Sequence, residues 1–160
     1  MRARSLMIDL AEWIAIKDWR CDQAGAALLA QPSRDFASTV LDKLWKKVVK
    51  GGNNLTDLYE EARHELRISA KKLRYAAEFF GPLYANKRET KRRNRFLVAM
   101  EGLQDQLGSL LATAPDMLSK LDLTNMAGAE DLFSADDKER LLHDAVDAHD
   151  AFVDTRRFWR

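Results

Sequence analysis

The chain has 160 residues, 46% apolar and 32% charged, with a formal net charge of +1. That suits one soluble globular domain with a real core. A lone cysteine, Cys21, excludes an internal disulfide framework and fits a reducing compartment, the cytoplasm. No run approaches the ~18 apolar residues that would span a membrane, and seven glycines and three prolines favour long helices over a β architecture.

The start, Met1-Arg2-Ala3-Arg4, imitates a signal peptide, but Asp9 and Glu12 interrupt the apolar stretch after it, so no secretion signal is read. A first helix is predicted over residues 4–18. Leu6, Leu10, Trp13 and Ile14 fit the helical period, and Met7, Ile8 and Ile16 widen the apolar face. Residues 19–32 read as a connection with a short helical piece at 24–30. A second helix is predicted from 34 to 50, stopped by Gly51-Gly52, with Leu41, Leu44, Trp45 and Val48 as its core stripe. Lys43, Lys46, Lys47 and Lys50 cluster on its other side, as a solvated face or as part of an anion surface.

After a turn at 51–54, in which Asn53 or Asn54 is a candidate cap, comes the most informative stretch. Apolar residues recur from Leu55 through Leu58, Tyr59, Ala62, Leu66, Ala70, Leu73 and Ala77 to Phe80, where Gly81-Pro82 stops the helix. Beside that stripe, His64, Arg67, Lys71 and Arg74 follow steps of three, four and three. At about 100° per residue they share an arc of roughly 80°, and they cover about 15 Å of helix axis. Glu60 and Glu78 bracket this line, and Arg63 sits at its edge. A solvated face normally mixes signs, because opposite charges four residues apart stabilise a helix and like charges repel. A row of guanidinium forks and an ammonium points to phosphate oxygens. The plainer reading is a Lys/Arg-rich solvated face.

A fourth helix is predicted over 86–111. It begins with a dense basic run containing Lys87, Lys91 and Arg95 and continues with the core positions Phe96, Met100, Leu103, Leu107 and Leu110. The turn before it is short, so it should return antiparallel to the third helix. Residues 112–136 are irregular, with a short helix expected from Pro115 to Leu121. A final helix is expected over 136–158, with Leu141, Leu142, Ala145, Ala148, Phe152 and Val153 on one face. His149 lies on that apolar side and reads as a core histidine, and His143 lies among acids. Arg156, Arg157 and Arg160 are further candidates for an anion surface. The near-neutral total hides an asymmetry: residues 41–95 carry 15 basic and 7 acidic side chains, a net of +8, and residues 96–160 a net of −7. Such a basic block attracts polyanions.

The run from His64 to Tyr75, His-x-x-Arg-x-x-x-Lys-Lys-Leu-Arg-Tyr, resembles the signature of the CHAD family, the conserved histidine α-helical domain. Leu103-Gln104-Asp105-Gln106-Leu107-Gly108 resembles a further segment of that family. Leu10-Ala11-Glu12-Trp13 and Phe158-Trp159-Arg160 are similar to flanking segments of CHAD domains attached to a CYTH triphosphatase or adenylate cyclase-like domain. The resemblance implies an all-α, antiparallel helical bundle made of two related halves, each with its own basic motif, and it implies binding of inorganic polyphosphate. Only one motif copy is present, so residues 1–160 look like a single helical domain that is the second half of a larger two-lobed one. An apolar face on the first helix would then favour a homodimer. The family's Asn-Asp pair after Leu-Gly-x-Leu is replaced here by Leu111 and Ala112.

No phosphate loop, zinc-spaced His/Cys cluster or nucleophile elbow is present, and the Glu-x-Glu-x-Lys pattern of CYTH catalytic domains is missing. A line of cations without paired carboxylates can hold phosphates but has no evident means of placing a metal or activating water. No cofactor, metal or catalytic residue is therefore assigned, and a binding module is favoured over an enzyme. His64, Arg67, Lys71 and Arg74 are the expected polyphosphate contacts. Arg63, Lys43, Lys46, Lys47, Lys50, Lys87, Lys91 and Arg95 form a candidate second ring. Bound phosphate should favour protonated His64 and strengthen binding as pH falls. An accessory role beside a CYTH-type domain is the alternative. Nucleic-acid binding ranks lower, because aromatic residues do not interleave with the cations.

Overall fold

The computed structural model describes residues 8–9, 11–12, 14–16, 30–112 and 135–160. The short helical piece expected at 24–30, apart from Ala30 in a turn, and the segment 113–134 lie outside them. The chain divides into two units, Met1–Ala37 and Ser38–Arg160. In the first unit, all described residues among 8–16 are helical, and Ile8, Ile14 and Ile16 are exposed. No strand occurs among the described residues, and the fold is an all-α helical bundle.

The largest described elements are four long helices: α1 (Ser33–Gly52), α2 (Glu60–Phe80), α3 (Lys87–Ala112) and α4 (Ala135–Asp154). Helix α3 is central, packing on α2 at one side and on α4 at the other. Its predicted stripe is the observed one: Phe96, Met100, Leu103, Leu107 and Leu110 are all buried. Helix α2 contributes Leu66, Ala70, Leu73 and Ala77. The buried residues of α1 include Leu41 and Val48, and Leu44 and Trp45 are only half-buried. His149 on α4 is buried, as its apolar neighbours imply. Its ring lies against Gly52, so closely that a Cβ there would overlap the imidazole. That contact explains why α1 ends on a glycine rather than before one.

Two expected boundaries move. The apolar period runs unbroken through Leu55 and Leu58, yet α2 begins only at Glu60. Asn54 adopts a left-handed conformation (φ 57°), Leu55–Asp57 form one 3₁₀ turn, and Leu58 and Tyr59 are extended. Neither asparagine caps α2. The N-cap position is Tyr59, with no side-chain hydrogen bond, and the acidic pair Glu60 and Glu61 sits favourably in the first turn. Leu55 is buried by packing of its turn against α4, and Tyr59 is exposed. Periodicity records which residues are apolar and does not detect a two-residue break between them.

The last helix stops at Asp154 instead of 158. The chain then turns inward and buries Phe158 and Trp159. These rings join Tyr84 and Phe96 in edge-to-face contacts, with centroids 4.9 to 5.8 Å apart, a favourable aromatic geometry. Asp42, buried on α1, anchors this turn. Its Oδ1 accepts from Arg157 and from the Trp159 indole, each at 2.9 Å, and its Oδ2 accepts from Arg160. Arg157 also lies over the Trp45 ring, 4.5 Å from its centroid.

Candidate functional site

Helix α2 turns one stripe to the core and carries the basic line beside it. Its long uninterrupted run of good helix formers ends at Gly81–Leu83, where Pro82 opens a 3₁₀ turn and the chain reverses into α3. Asn86 Oδ1 caps α3 by accepting from the Glu89 amide at 2.8 Å. The two helices run antiparallel, and three contacts fix their register. Arg93 lies across Gly81, with a guanidinium nitrogen 2.9 Å from where a Cβ would stand. Arg74 reaches Gln104, and Arg67 lies over Gly108, its Nε 3.8 Å from a Cβ position there.

The basic line is therefore a margin of the α2–α3 groove. His64, Arg67 and Lys71 are exposed, and Arg74 is half-buried. Arg74 donates from Nε to Glu78 Oε1 at 3.0 Å and from Nη1 to Gln104 Oε1 at 3.2 Å. Lys71 Nζ sits 5.8 Å from the Tyr75 ring centroid. Among the described residues, His64, Arg67 and Lys71 make no ion pair. The α3 residues in contact with the line are uncharged, a glutamine and a glycine, with Glu101 and Asp105 about 60° and 100° round the helix from Gln104. Arg67 lies across Gly108 at a distance that a methyl group would also tolerate, and Gln104 holds Arg74 without neutralising it. Leu103-Gln104-Asp105-Gln106-Leu107-Gly108 thus has two jobs. Leu103 and Leu107 fill the core, and Gln104 and Gly108 accommodate the arginines. The second was missed from sequence, although Gln104 and Gly108 are spaced to share one helix face.

Most of the candidate second ring is not brought to this line. Arg63 is half-buried and donates to the Thr56 carbonyl at 3.2 Å, tying α2 to the preceding turn. Lys47 and Lys50 line a cleft of about 460 Å³ with Glu61, Glu65 and Ser69. That side of α2 lies roughly 140° from the basic line at 100° per residue. These lysines therefore face carboxylates on the opposite side. Lys43 and Lys46 are exposed on the side of α1 away from Leu41 and Val48. On α3, Lys87, Lys91 and Arg95 are exposed. Lys91 and Arg95 line a second cleft with Arg88, Arg92 and Arg156. Those four α3 positions average roughly 150° around the helix from Gln104 and Gly108. The cations of residues 41–95 therefore form separate patches rather than one continuous surface.

The CHAD domain model matches residues 1–114, more than half of the chain. The chain belongs to the CHAD domain family. No curated protein and no solved structure matches it. Among the described residues of this CHAD chain, no group of His, Cys, Asp and Glu is placed to hold a metal ion, and no helix is long and apolar enough to cross a membrane.

Proposed function

We propose that this CHAD chain binds inorganic polyphosphate, without catalysing its turnover, along the exposed α2 face formed by His64, Arg67, Lys71 and Arg74. The observation that carries the reading is a contrast in pairing. Arg67 and Lys71 stand exposed with no carboxylate partner among the described residues, and α3 meets the line through Gly108 at Arg67 and Gln104 at Arg74. A linear anion with a charge on every unit matches a line of cations along one helix. Guanidinium forks at Arg67 and Arg74 suit pairs of phosphate oxygens, and the Lys71 ammonium adds a point charge between them. His64 extends the line by one turn and donates from its ring when protonated. Glu78 marks the other end, already paired with Arg74.

The test is titration with long-chain polyphosphate at low and moderate salt, beside Arg67→Ala/Lys71→Ala/Arg74→Ala. Binding should weaken as salt rises, because neutralised phosphates release counterions. The triple substitution should weaken it about a hundredfold, at roughly 1 kcal/mol for each charge-assisted contact, and leave helicity unchanged. Equal affinity of the two chains would refute the reading.

A further inference from the structure

We infer a second, separate anion site where the start of α3 meets the C-terminal turn, suited to a short, compact phosphate chain rather than a long polymer. This site has its own residues and does not need the α2 line to bind. A cleft of about 470 Å³ opens there, lined by Arg88, Lys91, Arg92, Arg95 and Arg156 with one carboxylate, Asp154. Arg88, Lys91, Arg95 and Arg156 are exposed, and none makes an ion pair among the described residues.

The cleft has fixed walls. Arg92 donates to the Arg160 carbonyl at 3.1 Å, tying α3 to the turn. From the other side, Asp42 holds Arg157, Trp159 and Arg160. Arg156 therefore stands between the end of α4, where Thr155 bonds back to Ala151 and Phe152, and a following segment, Arg157 to Arg160, held by both Arg92 and Asp42. A ligand here need not order the backbone, which removes a main cost of binding. The helix ends do not explain so many cations: the negative end of α4 and the positive end of α3 roughly offset, and Asp154 balances one charge.

The lining also defines the ligand class. Every free donor is a guanidinium or an ammonium, since the Thr155 hydroxyl is committed to the Ala151 carbonyl at 2.8 Å. Guanidinium forks around a concavity match clustered phosphate oxygens. No aromatic side chain lines the cleft, so nothing stacks on a nucleobase. From Arg88 to Arg95 the α3 wall is about 10 Å long, against about 15 Å for the α2 line. The fitting ligand is a short inorganic polyphosphate without a base.

Titration of the full chain with sodium tripolyphosphate tests this, with Arg88→Gln/Lys91→Gln/Arg95→Gln, the α2 triple variant and Asp154→Asn beside it. Saturable binding is expected, with the cleft as the tighter of the two sites for this short chain. The cleft variant should weaken it about tenfold or more, and the α2 variant should leave it within about twofold. Removing the exposed Asp154 carboxylate should strengthen it severalfold, a gain that misfolding cannot imitate. Adenosine triphosphate should bind no more tightly than tripolyphosphate. No saturable binding, an equal loss in the α2 variant, tighter binding of the nucleotide, or unchanged affinity in Asp154→Asn would each overturn the assignment.

Discussion

Arginines in the C-terminal turn and arginines on α2 are the same residue type put to opposite uses. Arg157 and Arg160 converge on one buried carboxylate, and Arg157 also covers an indole. Their guanidinium groups are engaged by a carboxylate of the fold. Arg67 lies across a glycine with no acid beside it, and Arg74 shares one exposed glutamate and a neutral glutamine. Counting cations does not separate these roles; the partner of each guanidinium does. Charge committed to a buried partner holds structure, and charge left facing solvent in a row is available to a ligand.

The strongest way to break the comparison is Asp42→Ala. It would strand two guanidinium groups and an indole N–H around a buried position. Truncating one partner of a fully buried ion pair costs about 3–5 kcal/mol. Arg157 and Arg160 are 32% and 58% exposed in their side chains, so water recovers part of that, and about 2–3 kcal/mol is expected. Urea unfolding should show it. A loss no larger than that of an ordinary surface substitution would mean the turn is not held by Asp42.

Next in size is Gly52→Ala. The new methyl meets the His149 ring, and overpacking of this kind costs about 1–3 kcal/mol. Thermal unfolding should detect the loss, and the double change Gly52→Ala/His149→Ala should recover part of the coupling between the two sites. Both substitutions act on the fold and should leave polyphosphate affinity of the folded chain unchanged.

Gly108→Glu sharpens the other half of the comparison. A carboxylate there can reach Arg67 and commit its charge, as Asp42 commits that of Arg157. Polyphosphate affinity should fall about fivefold, the worth of roughly one exposed ion pair, while Gly108→Ala should have little effect. The smallest effect belongs to Lys47→Ala/Lys50→Ala. These lysines face Glu61 and Glu65 on the far side of α2, so polyphosphate affinity should stay within about twofold. A tenfold loss on titration would mean that the two faces act together.

Much of this was legible in the sequence because it is local. Gly81-Pro82 stops α2 where expected, the short turn sets α2 and α3 antiparallel, and the stripe from Phe96 to Leu110 is buried as its period requires. The basic line comes from the same wheel. The features that were not legible are long-range or subtle. Asp42 meets Arg157 across 115 positions, and no periodicity links them. Phe158 reads as the end of the last helix, since burial of aromatic rings at a chain reversal leaves no repeating pattern. The break at Asn54–Tyr59 hides inside an apolar run that continues through it. The lysines of α1 were candidates to join the motif because their exposure was readable and their position around α2 was not.

Arginine side-chain NMR tests the central claim most directly, following the Nε–Hε signals while long-chain polyphosphate is added. Arg67 and Arg74 should shift strongly and saturate together, and Arg157, closed against Asp42 and Trp45, should stay in place. Shifts dominated by Arg157 and Arg160, with Arg67 unmoved, would contradict the division between committed and available charge.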